Sequence, residues 1–316
     1  MDDLQRAVNA VINDCLGVHE GEDVLVIANQ PTIGLGERLR LSAGQAGADA
    51  VLTLMRERPS HGSEPPATVA AAMAAADVVL APTVQSLSHT AARRAASESG
   101  ARIATLPQVT EPMLARLMSA DMDGLRRNGG AIAEILTTGS EARITAENGT
   151  DLRLGLDGRA GIPDAGDLTA PGAFGNLPCG EGFIAPVEGT ASGHLVADGT
   201  IGSLGSPSEA AVFEIEAGNV VSASGTEGER LLEMLRAAGE GGTNVAELGI
   251  GTNERAELTG NLLEDEKIRG TCHVAFGASA AIGGAIQVPI HEDVVVMRPV
   301  VSVDGREILR DGRLLV

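Results

Sequence analysis

The chain has 316 residues, 43% apolar but only 1% aromatic, with no Trp or Tyr and a formal charge of −20. That charge argues against nucleic acid and anionic membrane surfaces as partners, and the missing Tyr and Trp leave few platforms on which bases or sugars could stack. Three scattered cysteines, Cys15, Cys179 and Cys272, do not make a disulfide framework. With no basic-then-apolar leader and no apolar run of membrane-spanning length, a soluble cytoplasmic protein is expected. Of the 23 basic residues one is lysine, Lys267, and the rest are arginine.

Residues 3–17 read as a helix, with apolar positions at Leu4, Val8, Val11, Ile12 and Leu16 and a stop at Gly17. Asp23–Ala28 is a short continuous apolar run, the pattern of a strand covered on both faces. Helices then alternate with strands: helix 34–46, strand Ala50–Leu54, helix 66–76, strand Asp77–Ala81, helix 87–99 and strand Arg102–Thr105. Two further helices follow at about 111–119 and 121–138. The alternation predicts an α/β domain over residues 1–140, with a parallel sheet and right-handed crossovers. Gly34-Leu35-Gly36 lacks the third glycine of a dinucleotide fingerprint and Pro31 interrupts the turn, so no dinucleotide site is expected. His19, His61 and His89 read as exposed turn and loop residues.

The pattern changes near Gly139. Arg143–Leu154 is a hairpin around Asn148-Gly149, followed by a Gly/Pro/Asp-rich loop over 156–173. Val212–Val221 is a second hairpin, 226–238 an amphipathic helix, and Val300–Leu309 a third hairpin turning at Asp304-Gly305. Residues 141–316 are therefore expected to form an α+β, β-rich domain. Its apolar stretches carry polar residues. Glu181 follows Asn176-Leu177-Pro178-Cys179-Gly180, Glu247 sits in Val245–Gly251, and Glu266 lies in Glu264-Asp265-Glu266-Lys267. A carboxylate in an apolar run is costly to bury unless it is paired or bound to a metal. Glu247 could alternatively be an edge carboxylate facing water, and Glu266 alone would be a solvated charge. His291 and Asp293 stand two apart in the apolar run Ile286–Val296, so a strand would present both on one face. Such a pair suits either a divalent metal or a simple His–Asp hydrogen bond.

Four motifs then occur in order: Asn-Leu-Pro-x-Gly-Glu-x-Phe-x-Ala-Pro from Asn176, Glu-Leu-Gly-Ile-Gly-Thr-Asn from Glu247, Asp265-Glu266-Lys267 ahead of Gly270-Thr271-Cys272-His273, and Ile290-His291-x-Asp293. In these the chain resembles the dinuclear metallo-aminopeptidases of the aminopeptidase T and aminopeptidase S type. The resemblance implies an α/β domain followed by a mixed metal-binding domain, a homodimer, and six metal ligands at Glu181, Glu247, Glu266, His273, His291 and Asp293. It further implies two divalent ions (Zn, Co or Mn) sharing an activated water, with Glu247 bridging and Glu181 moving the proton. The substrate would be a small peptide or amino-acid derivative. The chain departs from that family in lacking a tyrosine after His273, where Ala280 stands, and in a longer Glu266–His273 segment. Ring-cleaving dioxygenases of hydroxylated pyridines resemble the same fold and use one Fe(II), held by two histidines and a carboxylate. In them a histidine takes the place of Glu247, so the glutamate favours the hydrolase expectation. A non-catalytic metal-binding homologue is the third reading.

Overall fold

The computed structural model describes residues 2–316. The chain forms two compact units: the chain up to Met122 with Gly166–Cys179, and Asp123–Ala165 with Gly180–Val316. The first carries a five-stranded parallel sheet in the spatial order Asp49–Leu54, Asp23–Ala28, Val78–Ala81, Arg102–Thr105, Phe174–Asn176. Its inner strands are runs of Val, Leu, Ile and Ala buried on both faces, as βαβ crossovers require. The helix expected from residue 87 begins at Ala91, because the Thr90 side chain accepts from Arg93 N and caps it there. No described helix is long and apolar enough to cross a membrane.

The second unit holds two antiparallel sheets. The larger has eight strands and contains the three expected hairpins. The turns at Ala217-Gly218 and Asp304-Gly305 each place two consecutive residues at positive φ, the twist a two-residue hairpin loop needs. The smaller sheet runs His291–Val296, Cys272–Gly277, Val245–Gly251, Glu181–Ile184, Ile162–Asp164. Its last strand lies inside the stretch expected to be loop; three residues are too short to show a period of two. The run from Ile286 also differs from expectation, since the strand begins only at His291. Residues 278–290 instead close on themselves, with Ser279 N and Ala280 N donating to Ile286 O and Ala278 N to Ile290 O.

Alternation across the smaller sheet is what builds the site. One face sends Ile184, Leu248, Ile250, Cys272, Val274, Phe276, Val294 and Val296 into a single apolar core shared with Leu152, Leu195, Phe213 and Leu231. Phe276 and Phe213 meet there at 5.3 Å between ring centroids. The residues between those apolar positions, Glu181, Glu247, Gly249, His273, His291 and Asp293, are left for the opposite face. The fold expected from the sequence, a parallel α/β region followed by a β-rich region, is the fold observed.

Candidate metal centre

Register aligns the polar face. Gly251 pairs with Glu181 and Gly249 with His273. Ala275, beside Glu247 on one side, pairs with Asp293 on the other, and Gly277 pairs with His291. Glu292, between the two last ligand candidates, faces away and accepts from Ser203 N at 2.6 Å and Ser203 Oγ at 3.1 Å, which pins that strand. Gly202 leaves room for this contact: a Cβ there would lie 2.0 Å from Glu292 Oε2.

Two donor sets result. Glu181, Glu247 and His273 each offer an atom within 4.8 Å of the others, and so do Glu247, His291 and Asp293. Glu247 belongs to both: Oε1 is 3.4 Å from His273 Nε2 and Oε2 is 3.4 Å from His291 Nε2. His291 Nε2 is 3.7 Å from Asp293 Oδ2. His291 Nδ1 lies 2.7 Å from Ala278 O, and a carbonyl can only accept, so the proton sits on Nδ1 and Nε2 is turned to the carboxylates. Glu181 Oε2 is 3.0 Å from His273 Nε2 yet receives no well-directed hydrogen bond, and His273 Nδ1 has no partner. Buried groups left this way are costly unless a cation completes them.

Glu266 is placed differently. It follows a short helix, Leu262–Asp265, and its Oε1 is 2.8 Å from Lys267 Nζ; it joins neither donor set. Lys267, fully buried, also donates to Glu181 Oε1 and lies 3.2 Å from Asp164 Oδ2. Sequence reasoning did not assign Lys267 or Asp164 a role. Asp164 lies in the supposed loop, but the one lysine of an arginine-rich chain is a compositional signal that could have singled out Lys267.

Burial opposes charge on Glu247, but hydrogen bonds from His273 and His291 outweigh it and hold the carboxyl well below its usual range. Burial likewise opposes protonation of His291, yet Asp293 and Glu247 push it up to about 10. His273 is raised well above its usual value against burial, by Glu181 and Glu247. Burial lifts Asp164 to about 7 and Glu266 to about 8, with Lys267 restraining both. In the metal-free protein the surrounding carboxylates thus favour the charged form of both imidazoles. Because His291 rises from 6.5 to about 10 on folding, its contribution is complete below about pH 6.5 and is lost as pH climbs towards 10. The melting temperature of metal-free protein is expected to fall across that window. Uptake of one divalent ion by the set with His291 near pH 7 is expected to release about one proton. Calorimetry in buffers of different ionisation enthalpy measures the release; an uptake that frees no protons contradicts it.

A buried group of imidazole and carboxylate donors on a rigid sheet defines a site able to hold a metal ion, within a two-unit fold of parallel α/β and β-rich parts. The family model for 2,5-dihydroxypyridine 5,6-dioxygenase (NicX) matches residues 3–316. The chain belongs to that family. A solved 2,5-dihydroxypyridine dioxygenase from Pseudomonas putida KT2440 has the same fold, with a TM-score of 0.85 at 20% identity, covering 100% of this chain and 98% of that one. AmpT from Thermus thermophilus, an aminopeptidase T, shares the fold at TM-score 0.73 and 19% identity, with 99% of each chain covered. No curated protein sequence matches.

These findings correct the expected activity. The likeness to aminopeptidase T holds for the fold, but family membership places the chain with the dioxygenases and against the expected hydrolase with its two-ion Zn, Co or Mn centre. The reason is physical. Imidazole and carboxylate suit several first-row ions alike, so the motifs report a donor set and leave the reaction open. Glu247, taken as the mark of a hydrolase, is a donor that Fe(II) accepts as readily.

Proposed function

We propose that this protein is an Fe(II)-dependent dioxygenase that opens the ring of a dihydroxylated pyridine. The observation that carries the reading is the family match along nearly the whole chain, joined to the buried donor set Glu247, His291 and Asp293. The donors fit the ion: an imidazole nitrogen, a lone-pair donor once it gives up its proton, and two carboxylates within reach of one centre, with unsatisfied buried atoms beside them. When bound, Fe(II) supplies the redox chemistry that lets dioxygen react with an electron-rich ring.

The protein's own residues do the rest. Ala278 O holds the His291 ring by Nδ1 and so keeps Nε2 aimed at the carboxylates. The apolar core beneath the sheet keeps the ligand-bearing strands rigid. Burial of Glu247 and Asp293 limits competing water and strengthens local electrostatics. Phe183 stands two residues from Glu181 and opposite Gly249, and is the one phenylalanine on the ligand-bearing face of this sheet. Its ring is a surface on which a planar substrate can stack. The overall conversion breaks one ring C–C bond and places both atoms of dioxygen in the opened product.

The experiment is oxygen uptake by anaerobically iron-loaded protein given 2,5-dihydroxypyridine, with loss of the substrate's ultraviolet band. Uptake of one dioxygen per ring is expected. Iron-loaded, folded protein that leaves 2,5-dihydroxypyridine and related dihydroxypyridines unchanged overturns the reading.

A further inference from the structure

The only lysine of this chain is fully buried, and three carboxylates surround it. Lys267 Nζ donates to Glu181 Oε1 and to Glu266 Oε1 at 2.8 Å, and lies 3.2 Å from Asp164 Oδ2. An ammonium has three N–H donors, and three acid groups face it here. A guanidinium is planar and larger, whereas a lysine presents a compact point charge. The 22 other basic residues (23 Lys and Arg, less Lys267) are all arginine.

We infer that Lys267 is a resident cation that restricts this centre to one metal ion. Glu181 is the link. Its Oε1 is held by the ammonium, and its Oε2 belongs to the donor set with Glu247 and His273. A divalent ion in that set would share a single carboxylate with a positive charge in a desolvated pocket, where repulsion is weakly screened. The set formed by Glu247, His291 and Asp293 has no such neighbour among its own donors and takes the ion. Glu266, a metal ligand by resemblance, is drawn off to the lysine together with Asp164. The lysine also belongs to the motif shared with the two-ion aminopeptidases. Its role here therefore rests on its surroundings, in which two of its three acid partners fall outside both donor sets. The inference deepens the single-iron reading above and makes Lys267 a positioning residue, since it touches no reacting atom.

The test counts ions. Metal-stripped full-length protein is titrated with Mn2+, desalted, analysed for bound metal and examined by electron paramagnetic resonance. Wild type is expected to keep one Mn2+ per chain with an isolated six-line signal. Lys267→Met, of similar shape and without charge, is expected to keep two, spin-coupled through Glu247. Lys267→Gln carries the same expectation should the methionine variant not fold, and Lys267→Arg, which retains the charge, should not gain a second ion. Two tightly held ions in wild type, or one in a folded uncharged variant, overturn the inference. Because the readout is stoichiometry and spin coupling, absence of oxygen uptake bears on the ring-opening reading alone.

Discussion

His291→Ala is expected to purify folded, to bind Fe(II) at least about 100-fold more weakly than wild type, and to show no oxygen uptake with dihydroxypyridine. Loss of a group that merely orients a ligand already costs about 10- to 100-fold in affinity, and His291 is the sole nitrogen donor in the set with Glu247 and Asp293. Folding should survive because the ring lies at the rim of the sheet, 14% exposed, and is tied to the backbone at Ala278 O rather than packed into the core. The apolar partners of that strand, Val294 and Val296, point into the core on the other face and are untouched. With the imidazole gone, Glu247 and Asp293 face each other with less positive charge between them, which raises their joint affinity for a proton. That proton competes with the ion and adds to the loss. His194→Ala is the matched control: His194 pairs with Glu214 on the exposed face of the other sheet, with both side chains about half exposed, and its removal should leave iron and activity at wild-type levels. Elemental analysis after anaerobic reconstitution and gel filtration decides the matter. Full iron occupancy in His291→Ala would remove this histidine from the centre.

The polar face of the smaller sheet is legible where a polar residue interrupts an apolar run, because a period of two leaves no other place for it: Glu247 between Ala246 and Leu248, and Asp293 ahead of Val294; His273 is singled out only by the family motif. The hairpins were legible because Asn-Gly and Asp-Gly have few other uses. Asp164 was hidden by brevity, its strand being three residues long and bounded by glycines and aspartates. The neighbourhood of Lys267 was hidden for a different reason. Charge runs such as Glu264-Asp265-Glu266-Lys267 usually lie in water, and nothing local reveals that all four are buried. Asp265, for instance, is consumed by Thr259, Gly260 and Thr200, a structural use that the sequence does not distinguish from a ligand. The reaction was the least legible feature. Hydrolase and dioxygenase share this fold, imidazole and carboxylate donors suit the chemistry of either, and similarity along the whole chain rather than any one motif separates them.

Gly249→Ala should be among the most damaging single-methyl additions in the protein. Gly249 has no unusual backbone, so alanine is conformationally welcome, and Gly→Ala in a strand would ordinarily help by roughly 0.5–1 kcal/mol. The obstacle is the ring across the ladder. A Cβ at Gly249 would stand 2.0 Å from His273 Nε2 and 2.2 Å from Cε1, so the imidazole, 1% exposed and enclosed, has to leave its place over the glycine. Overpacking of this kind costs about 1–3 kcal/mol, or a melting temperature lower by several degrees for a unit of this size. Displacing His273 also takes a nearby positive charge from Glu181 and Glu247 at once, so Glu247 loses the partner beside Oε1 and is free to rotate away from His291. Oxygen uptake is expected to fall by at least about tenfold, the scale on which misplaced supporting groups act. Gly130→Ala, on an open position of the helix Met122–Thr138 where a Cβ meets nothing within 4 Å, should be neutral or slightly stabilising. The double variant Gly249→Ala/His273→Ala separates the two consequences. Removing the ring relieves the clash, so stability should recover relative to Gly249→Ala, while activity should not, giving a strongly non-additive cycle. A Gly249→Ala protein that melts and turns over like wild type would show that the His273 ring does not lie over this glycine, and the stacking of imidazole on bare backbone would have to be abandoned as the way this sheet positions its ligands.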